Sequence, residues 1–439
     1  MIDYQLTTLT LCATIVACTI NEKNRLNTLI TPFTVTAWPF LVIAVLVNYF
    51  LIYLDFKPFT MRAQLFVLAN LFILWLVGYW QFYFVGNSNI GEVQKERFQE
   101  LFARFARYEW FLIFISWVAI YIVTKKVLSL FGRFGGFAFL GDPRFELMMT
   151  VGIAAHMGEV AKVCFILLGL MFRSSKNKTA IIMTMLGLFL AIAAMQVKYH
   201  LLWVLIILFI YRLLEMPVKK QLRAILWTSL SVILVMNLFW ILLTIAWKTF
   251  SFTNKGIWQF LFEHTMLYIT SAPVAFDTWL DFPDIKPDGS LLVVFKNIIN
   301  VIEGNPIRIS AMPFVTIGFI LTTNNTISNV GTAYGVYYII GGWVFVLFMT
   351  VLTAAVFYYI FFMNRKHTSA YLLFLNIFCL TLAALTFFVQ YFTLLSFYEV
   401  IFLYLLFISI FKVLSYMNYR KNQDPNTDSR SQHLQVYGY

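Results

Sequence analysis

The stretch WVFVLFMTVLTAAVFYYIFF, Trp343 to Phe362, contains no charged residue. Runs of this kind constrain the fold more than any other feature of the chain. Buried backbone N–H and C=O groups need partners, and in an apolar environment a helix satisfies all of them within one segment. About 20 apolar residues of helix also match the hydrocarbon thickness of a bilayer. Comparable runs recur along the sequence. Of its 439 residues, 61% are hydrophobic and 12% charged, and the mean hydropathy is +0.79. A soluble protein of this size cannot bury so much apolar surface, so the chain reads as a polytopic membrane protein. The expected fold class is all-α, with about eleven transmembrane helices. Their expected positions are 3–20, 28–54, 64–85, 109–130, 147–172, 179–197, 200–215, 222–247, 335–362, 369–391 and 395–414. The first run lacks a basic flank on its N-terminal side and reads as a span, not a cleaved signal.

The net charge of +12 follows from 32 Lys and Arg against 20 Asp and Glu. In a membrane protein such an excess marks cytoplasmic loops, not a nucleic-acid partner. The basic stretches are NEKNR (21–25), KERFQELFARFAR (95–107), RSSKNK (173–178), MPVKKQLR (216–223), NRKH (364–367) and the tail from Tyr416. They fall in alternate loops, which puts the N-terminus outside and the C-terminus inside. Lys125 and Lys126 run against this trend and would snorkel to the interface. Residues 92–108 carry Phe98, Leu101, Phe102 and Phe105 at helical spacing among basic residues. They read either as an interfacial helix or as an extension of the fourth span. The expected organisation is therefore 1–247 as eight spans, 248–334 as a long extracytoplasmic loop, 335–414 as three spans, and 415–439 as a disordered cytoplasmic tail.

The four cysteines, Cys12, Cys18, Cys164 and Cys379, lie inside apolar runs with no metal or disulfide spacing. There is no phosphate-binding glycine loop, no metal cluster and no nucleophile elbow. Neither a cofactor nor a metal is expected, and nucleotide-driven chemistry is not.

Chemistry concentrates instead in a few outer segments. GRFGGFAFLGDPRFEL (132–147) offers glycines for close backbone approach and two fork-shaped anion donors, Arg133 and Arg144. Its alternative is a loop that meets lipid headgroups. AMQVKYHLLWVL (194–205) sets Lys198, Tyr199 and His200 between two apolar helices on the side where a lysine is least expected. Snorkelling to outer phosphates is the alternative for Lys198. FEHTMLYITSAPVAFDTWLDFPD (262–284) reads as an amphipathic helix with Glu263, His264, Tyr268, Ser271 and Asp277 among aromatic residues. VVFKNIINVIEGNPIRIS (293–310) reads as a second helix ending at Gly304, followed by Arg308. Such a loop should lie along the membrane. Aromatic faces beside carboxylates and amides suit a sugar ring, though loop packing explains the same pattern. NVGTAYGVYYIIGG (329–342) opens the next span. Asn329 and Thr332 are candidate helix caps. Tyr334, Tyr337 and Tyr338 read as a glycan floor or as a plain interfacial tyrosine belt.

Taken in order, these landmarks resemble the Wzy-type oligosaccharide repeat-unit polymerases, the O-antigen and capsule polymerases of bacteria. The segments that carry the resemblance are TPFTVTAWPFLVIAVLVNYF (31–50), FGRFGGF (131–137), MQVKYHLLWVLIILFIYR (195–212), YITSAPVAFD (268–277) and NVGTAYGVYYIIGG. Lys198 stands where the family often has Arg, and Ile339 and Ile340 occupy a stretch where an acidic residue is expected. The resemblance implies a GT-C-like fold in the bacterial cytoplasmic membrane, with its active site on the extracytoplasmic face. It implies a glycosyltransferase that moves a growing glycan from undecaprenyl diphosphate to the non-reducing end of a new lipid-linked repeat unit. A chain-length regulator and a flippase would be its partners. Lys198 and Arg308 would clamp the diphosphate, and His200, His264 or a loop carboxylate such as Glu263 or Asp277 would orient or deprotonate the acceptor hydroxyl. Arg133, Arg144, Tyr199, Glu263, Tyr268, Asp277, Asn329, Tyr334, Tyr337 and Tyr338 would bind substrate. Two other readings stay open: a lipid-linked-oligosaccharide flippase or transporter, favoured by Glu159, Lys162 and His156 within one span, and a GT-C-type glycan ligase.

Overall fold

A computed structural model describes residues 2–85, 100, 102–133, 145, 148–149, 151–195, 198–228, 230–231, 234, 255–281, 295–303, 320–321, 327–328, 331–367, 369–388, 392 and 394–421. These form twelve long or short helices: α1 (Ile2–Leu26), α2 (Pro32–Tyr49), α3 (Met61–Val85), α4 (Glu109–Arg133), α5 (Ile153–Met171), α6 (Lys178–Ala194), α7 (Lys198–Leu214), α8 (Lys255–Trp279), α9 (Lys296–Ile302), α10 (Ala333–Lys366), α11 (Ala370–Ala384) and α12 (Leu395–Lys421). One two-residue antiparallel ladder pairs Ile320–Leu321 with Ile327–Ser328. Six of the helical segments are long and apolar enough to cross a membrane: Pro32–Tyr49, Met61–Val85, Phe102–Arg133, Ile153–Met171, Ala333–Lys366 and Leu395–Met417. Three apolar helices are shorter, Lys178–Ala194, His200–Leu214 and Ala370–Ala384. The expected span 222–247 lies largely outside the described residues.

Local sequence accounts for several boundaries. Thr31 caps α2, accepting from the Thr34 amide at 3.1 Å while the Thr34 hydroxyl accepts from the Thr31 amide at 2.9 Å. Pro32 then occupies the first turn, where its missing N–H costs nothing. The expected span 28–54 is therefore shorter as an α-helix and ends in a 3-10 turn, Leu51–Leu54. Phe102 and Phe105 are buried against Tyr211 and Phe411, and a 3-10 turn joins this segment to α4. That is the extension of the fourth span. A helix lying in lipid headgroups would leave both rings facing outward.

Among the described residues there are two large apolar cores and a smaller cluster of Val123, Leu130, Phe145, Met149, Ala191 and Met195. One large core joins α1, α2, α3, the end of α8 and much of α10; the other joins α4, α5, α6, α7, α11 and α12. Lipid tails are as apolar as a leucine side chain, so close packing and buried hydrogen bonds must hold these helices together. Gly78 shows the closeness required: a Cβ there would meet the Tyr358 ring at 2.2 Å. The Tyr358 hydroxyl donates to the buried Glu22 carboxylate and accepts from the Phe33 amide at 3.2 Å. Glu22 also accepts from Thr31, so one carboxylate ties α1, α2 and α10.

Two ends of the bundle can be distinguished. At the upper end Asn48 donates to Thr8 at 3.0 Å, Arg62 pairs with Asp281 at 2.8 Å, and the Ala333 amide donates to the Thr386 carbonyl at 2.9 Å. At the lower end lie the Glu22–Tyr358 contact, the Leu29 amide on Gln221 at 3.0 Å, and Arg173 on Glu215 at 2.7 Å. Ser175 and Asn177 both donate to Glu109 there as well. The described basic stretches thus gather at the lower end.

Candidate functional site

Helices α5, α7 and α12 run parallel and begin at the upper end. Their register is fixed by His156 on Glu399, by Leu208 packed over Gly169, and by the cleft that His200 and Trp203 share with Glu159 and Lys162. The cleft lies between the first two turns of α7 and α12 and the second and third turns of α5. A helix N-terminus carries the positive end of the helix dipole, which favours anions, and those of α7 and α12 lie at the cleft.

The cleft is lined by Glu159, Lys162, His200, Trp203, Leu394, Ser396, Phe397 and Val400. At about 20 Å³ it holds little more than a water molecule in this state. On its floor the Lys162 ammonium donates to both Glu159 oxygens at 2.7 Å, and the side chains are only 1% and 6% exposed. The spacing of three residues puts both on one helix face. The pair is expensive to desolvate and expensive to break, so it locks the local geometry of α5. One turn nearer the upper end, His156 Nδ1 lies 2.8 Å from Glu399 Oε1. Unlike the floor, this pair is open, the His156 side chain being 66% exposed.

A second cavity, of about 40 Å³, lies where α10 begins. Hydroxyl-bearing residues Thr36, Tyr334, Tyr337, Thr350, Thr353 and Thr386 line it together with Leu74, Phe357, Leu382 and Phe392. The cavity has room for one to a few waters but not for a sugar ring. The first part of α10, residues 333–340, is buried along its whole length. Thr332 caps it, accepting from the Gly335 amide at 3.0 Å. The helix then breaks at Gly341 and Gly342, the latter at φ 63° and ψ −160°, a conformation essentially restricted to glycine. Past the break, Trp343, Val344, Leu347 and Phe348 face outward.

The residues expected from sequence divide accordingly. His200 is in the cleft wall, and Lys198 and Tyr199 are in the same first turn of α7, with their side chains outside the described atoms. Arg133 is exposed at the last position of α4, at the upper end. Tyr334 and Tyr337 line the hydroxyl cavity. Tyr338 instead turns into the protein, edge-on to Phe66 and Trp343 at 5.9 and 6.0 Å between ring centres. Asp277 accepts from Thr60 at 2.6 Å, which docks α8 on the start of α3. Glu263 accepts from Gln259 at 2.9 Å on its own helix. The side chains of His264 and Tyr268, and all of Arg144, Arg308 and Asn329, lie outside the described residues.

The second half of α8 is more deeply set than a helix resting on a membrane surface. Thr270 through Phe276 are buried, and Trp279 lies against Gly331 so closely that a Cβ there would sit 2.3 Å from its ring. The glycines at 331 and 335 thus admit Trp279 and Phe276. Sequence reasoning missed the His156–Glu399 pair, whose members are 243 positions apart and carry no motif. It also missed the helix break, although the Gly-Gly dipeptide is a recognised punctuation signal.

No curated protein and no solved structure matches this chain. Residues 55–417 match the model described as Family of unknown function (DUF6337), and the chain belongs to that family.

Proposed function

We propose that the protein is a membrane glycosyltransferase that polymerises undecaprenyl-diphosphate-linked oligosaccharide repeat units. The observation that carries this reading is the cleft at which α7 and α12 begin, with Lys198 in the first turn of α7 and Arg133 at the upper end of α4. A departing diphosphate needs positive potential where its charge develops, and helix N-termini beside cationic side chains supply it. The order of sequence landmarks supports the same reading. The upper end would face the extracytoplasmic side, because the described basic stretches lie at the lower end and positive charge marks the cytoplasm. In this scheme Lys198 and Arg308 hold the donor diphosphate, the anomeric carbon stands over the cleft, and the acceptor's terminal hydroxyl attacks it.

A second reading rests on a specific observation, the Glu159–Lys162 pair buried within a candidate span. Ionisable residues inside a span are rare and mark substrate or ion pathways, and a flippase for the same lipid-linked unit would use such a pair. Deleting the gene and resolving the cell's surface glycan on a gel separates the two. The polymerase reading expects polymer to vanish while single repeat units persist at the surface. Loss of every unit from the surface would instead favour the flippase, and an unchanged ladder would overturn both. A ligase would leave finished polymer on its lipid carrier.

A further inference from the structure

The polymerase reading leaves the proton of the acceptor hydroxyl without a described destination, because the side chain of His264 is not described and His200 is buried in the cleft wall. The structure holds another histidine with the geometry for it. His156 Nδ1 lies 2.8 Å from Glu399 Oε1, while 66% of the side chain is exposed. A carboxylate at that distance holds the proton on Nδ1 and turns the Nε2 lone pair outward. His156 precedes Glu159 by one turn on one helix face, and Glu399 adjoins Val400, so the pair stands beside the cleft that Glu159 and Val400 line. The floor beneath is fixed by the Lys162–Glu159 pair. The contact is not needed to join α5 to α12. A solvent-exposed ion pair contributes little to stability, and the apolar core already packs both helices.

Resting on the polymerase reading, we propose that His156 is the general base of the transfer and that Glu399 is its positioning residue. The acceptor oxygen bonds to the anomeric carbon as the bond from that carbon to the diphosphate oxygen breaks. The electron pair leaves with undecaprenyl diphosphate, and the hydroxyl proton passes to His156 Nε2. Glu399 then balances the imidazolium until its proton is lost to the departing diphosphate or to water.

The test uses purified full-length protein and membranes of the deletion strain, which retain the native lipid-linked single units, as donor and acceptor. His156→Ala is expected to lower the turnover rate at saturating substrate about 100-fold or more, with KM little changed. Added imidazole is expected to restore part of that rate. Glu399→Gln keeps the size and the hydrogen bond but removes the charge, and should lower the same rate with KM again little changed. Rates for both variants within threefold of wild type would overturn the assignment. So would a loss accompanied by raised KM and no response to imidazole, which would mark a structural role. If wild-type protein forms no polymer under these conditions, the polymerase reading itself fails, and that result is distinct from any difference among variants.

Discussion

Lys162→Met is expected to destabilise the protein by about 3–5 kcal/mol, the cost of leaving one member of a buried ion pair uncompensated. The environment sets this magnitude. Glu159 is 6% exposed on its side chain, its only hydrogen bonds among the described residues come from Lys162, and the cleft beside it is lined by Trp203, Leu394, Phe397 and Val400. A charge alone at the centre of a spanning helix costs a similar amount, about 2.5–3.5 kcal/mol on insertion scales. Combining Glu159→Gln with Lys162→Met removes both charges at nearly constant volume, and most of the loss should be recovered. The double-mutant cycle should give a coupling of at least about 2 kcal/mol. Unfolding by SDS in mixed micelles, followed by circular dichroism, gives each value. A Lys162→Met variant as stable as wild type would refute the argument from buried charge. The double variant also separates the functional readings. If the pair is only a fastener in the cleft floor, polymer still forms; if it couples transport, surface units disappear although the protein is folded.

Three further outcomes follow from the geometry. Lys198→Ala and Arg308→Ala, each expressed at wild-type level, should leave glycans one repeat unit long, and full ladders from both would sink the diphosphate clamp. Gly342→Ala should cost about 1–3 kcal/mol because its backbone at φ 63° and ψ −160° suits glycine alone. The same substitution at Gly341, with φ −153°, should cost less, and thermal melting in detergent ranks the two. Tyr358→Phe removes the hydroxyl that joins Glu22 to the Phe33 amide. Leaving these buried groups without that partner should cost about 1–3 kcal/mol, measurable by the same SDS titration.

Much of the architecture was legible because it follows from burial. Uncharged runs such as 343–362 must become helices in an apolar solvent; the Thr31-Pro32 start of α2, four residues after the expected 28, was missed although capping and a pre-set φ signal it. The Glu159–Lys162 contact was equally legible, since residues three apart on a helix must share a face. What stayed hidden depends on distant partners. Nothing local tells that Asp277 accepts from Thr60, 217 positions earlier, or that Glu399 finds His156. Hydropathy also reads 335–362 as one continuous span. The dihedral break at Gly341–Gly342 divides it into a half-helix buried on every side and a longer helix with one buried and one outward face, and an apolar average is blind to that division. Tyr338 illustrates the limit of composition. An interfacial tyrosine and a tyrosine packed edge-on against Phe66 look alike in sequence.

The most direct measurement of the central claim is stoichiometric. Purified protein is reconstituted into liposomes with lipid-linked single repeat units extracted from the deletion strain. The glycan products and the free undecaprenyl diphosphate are then both quantified. Polymerisation by block transfer predicts a ladder of lipid-linked chains and one undecaprenyl diphosphate released for each new linkage. Units that cross the bilayer unchanged, with no ladder and no released diphosphate, would contradict it.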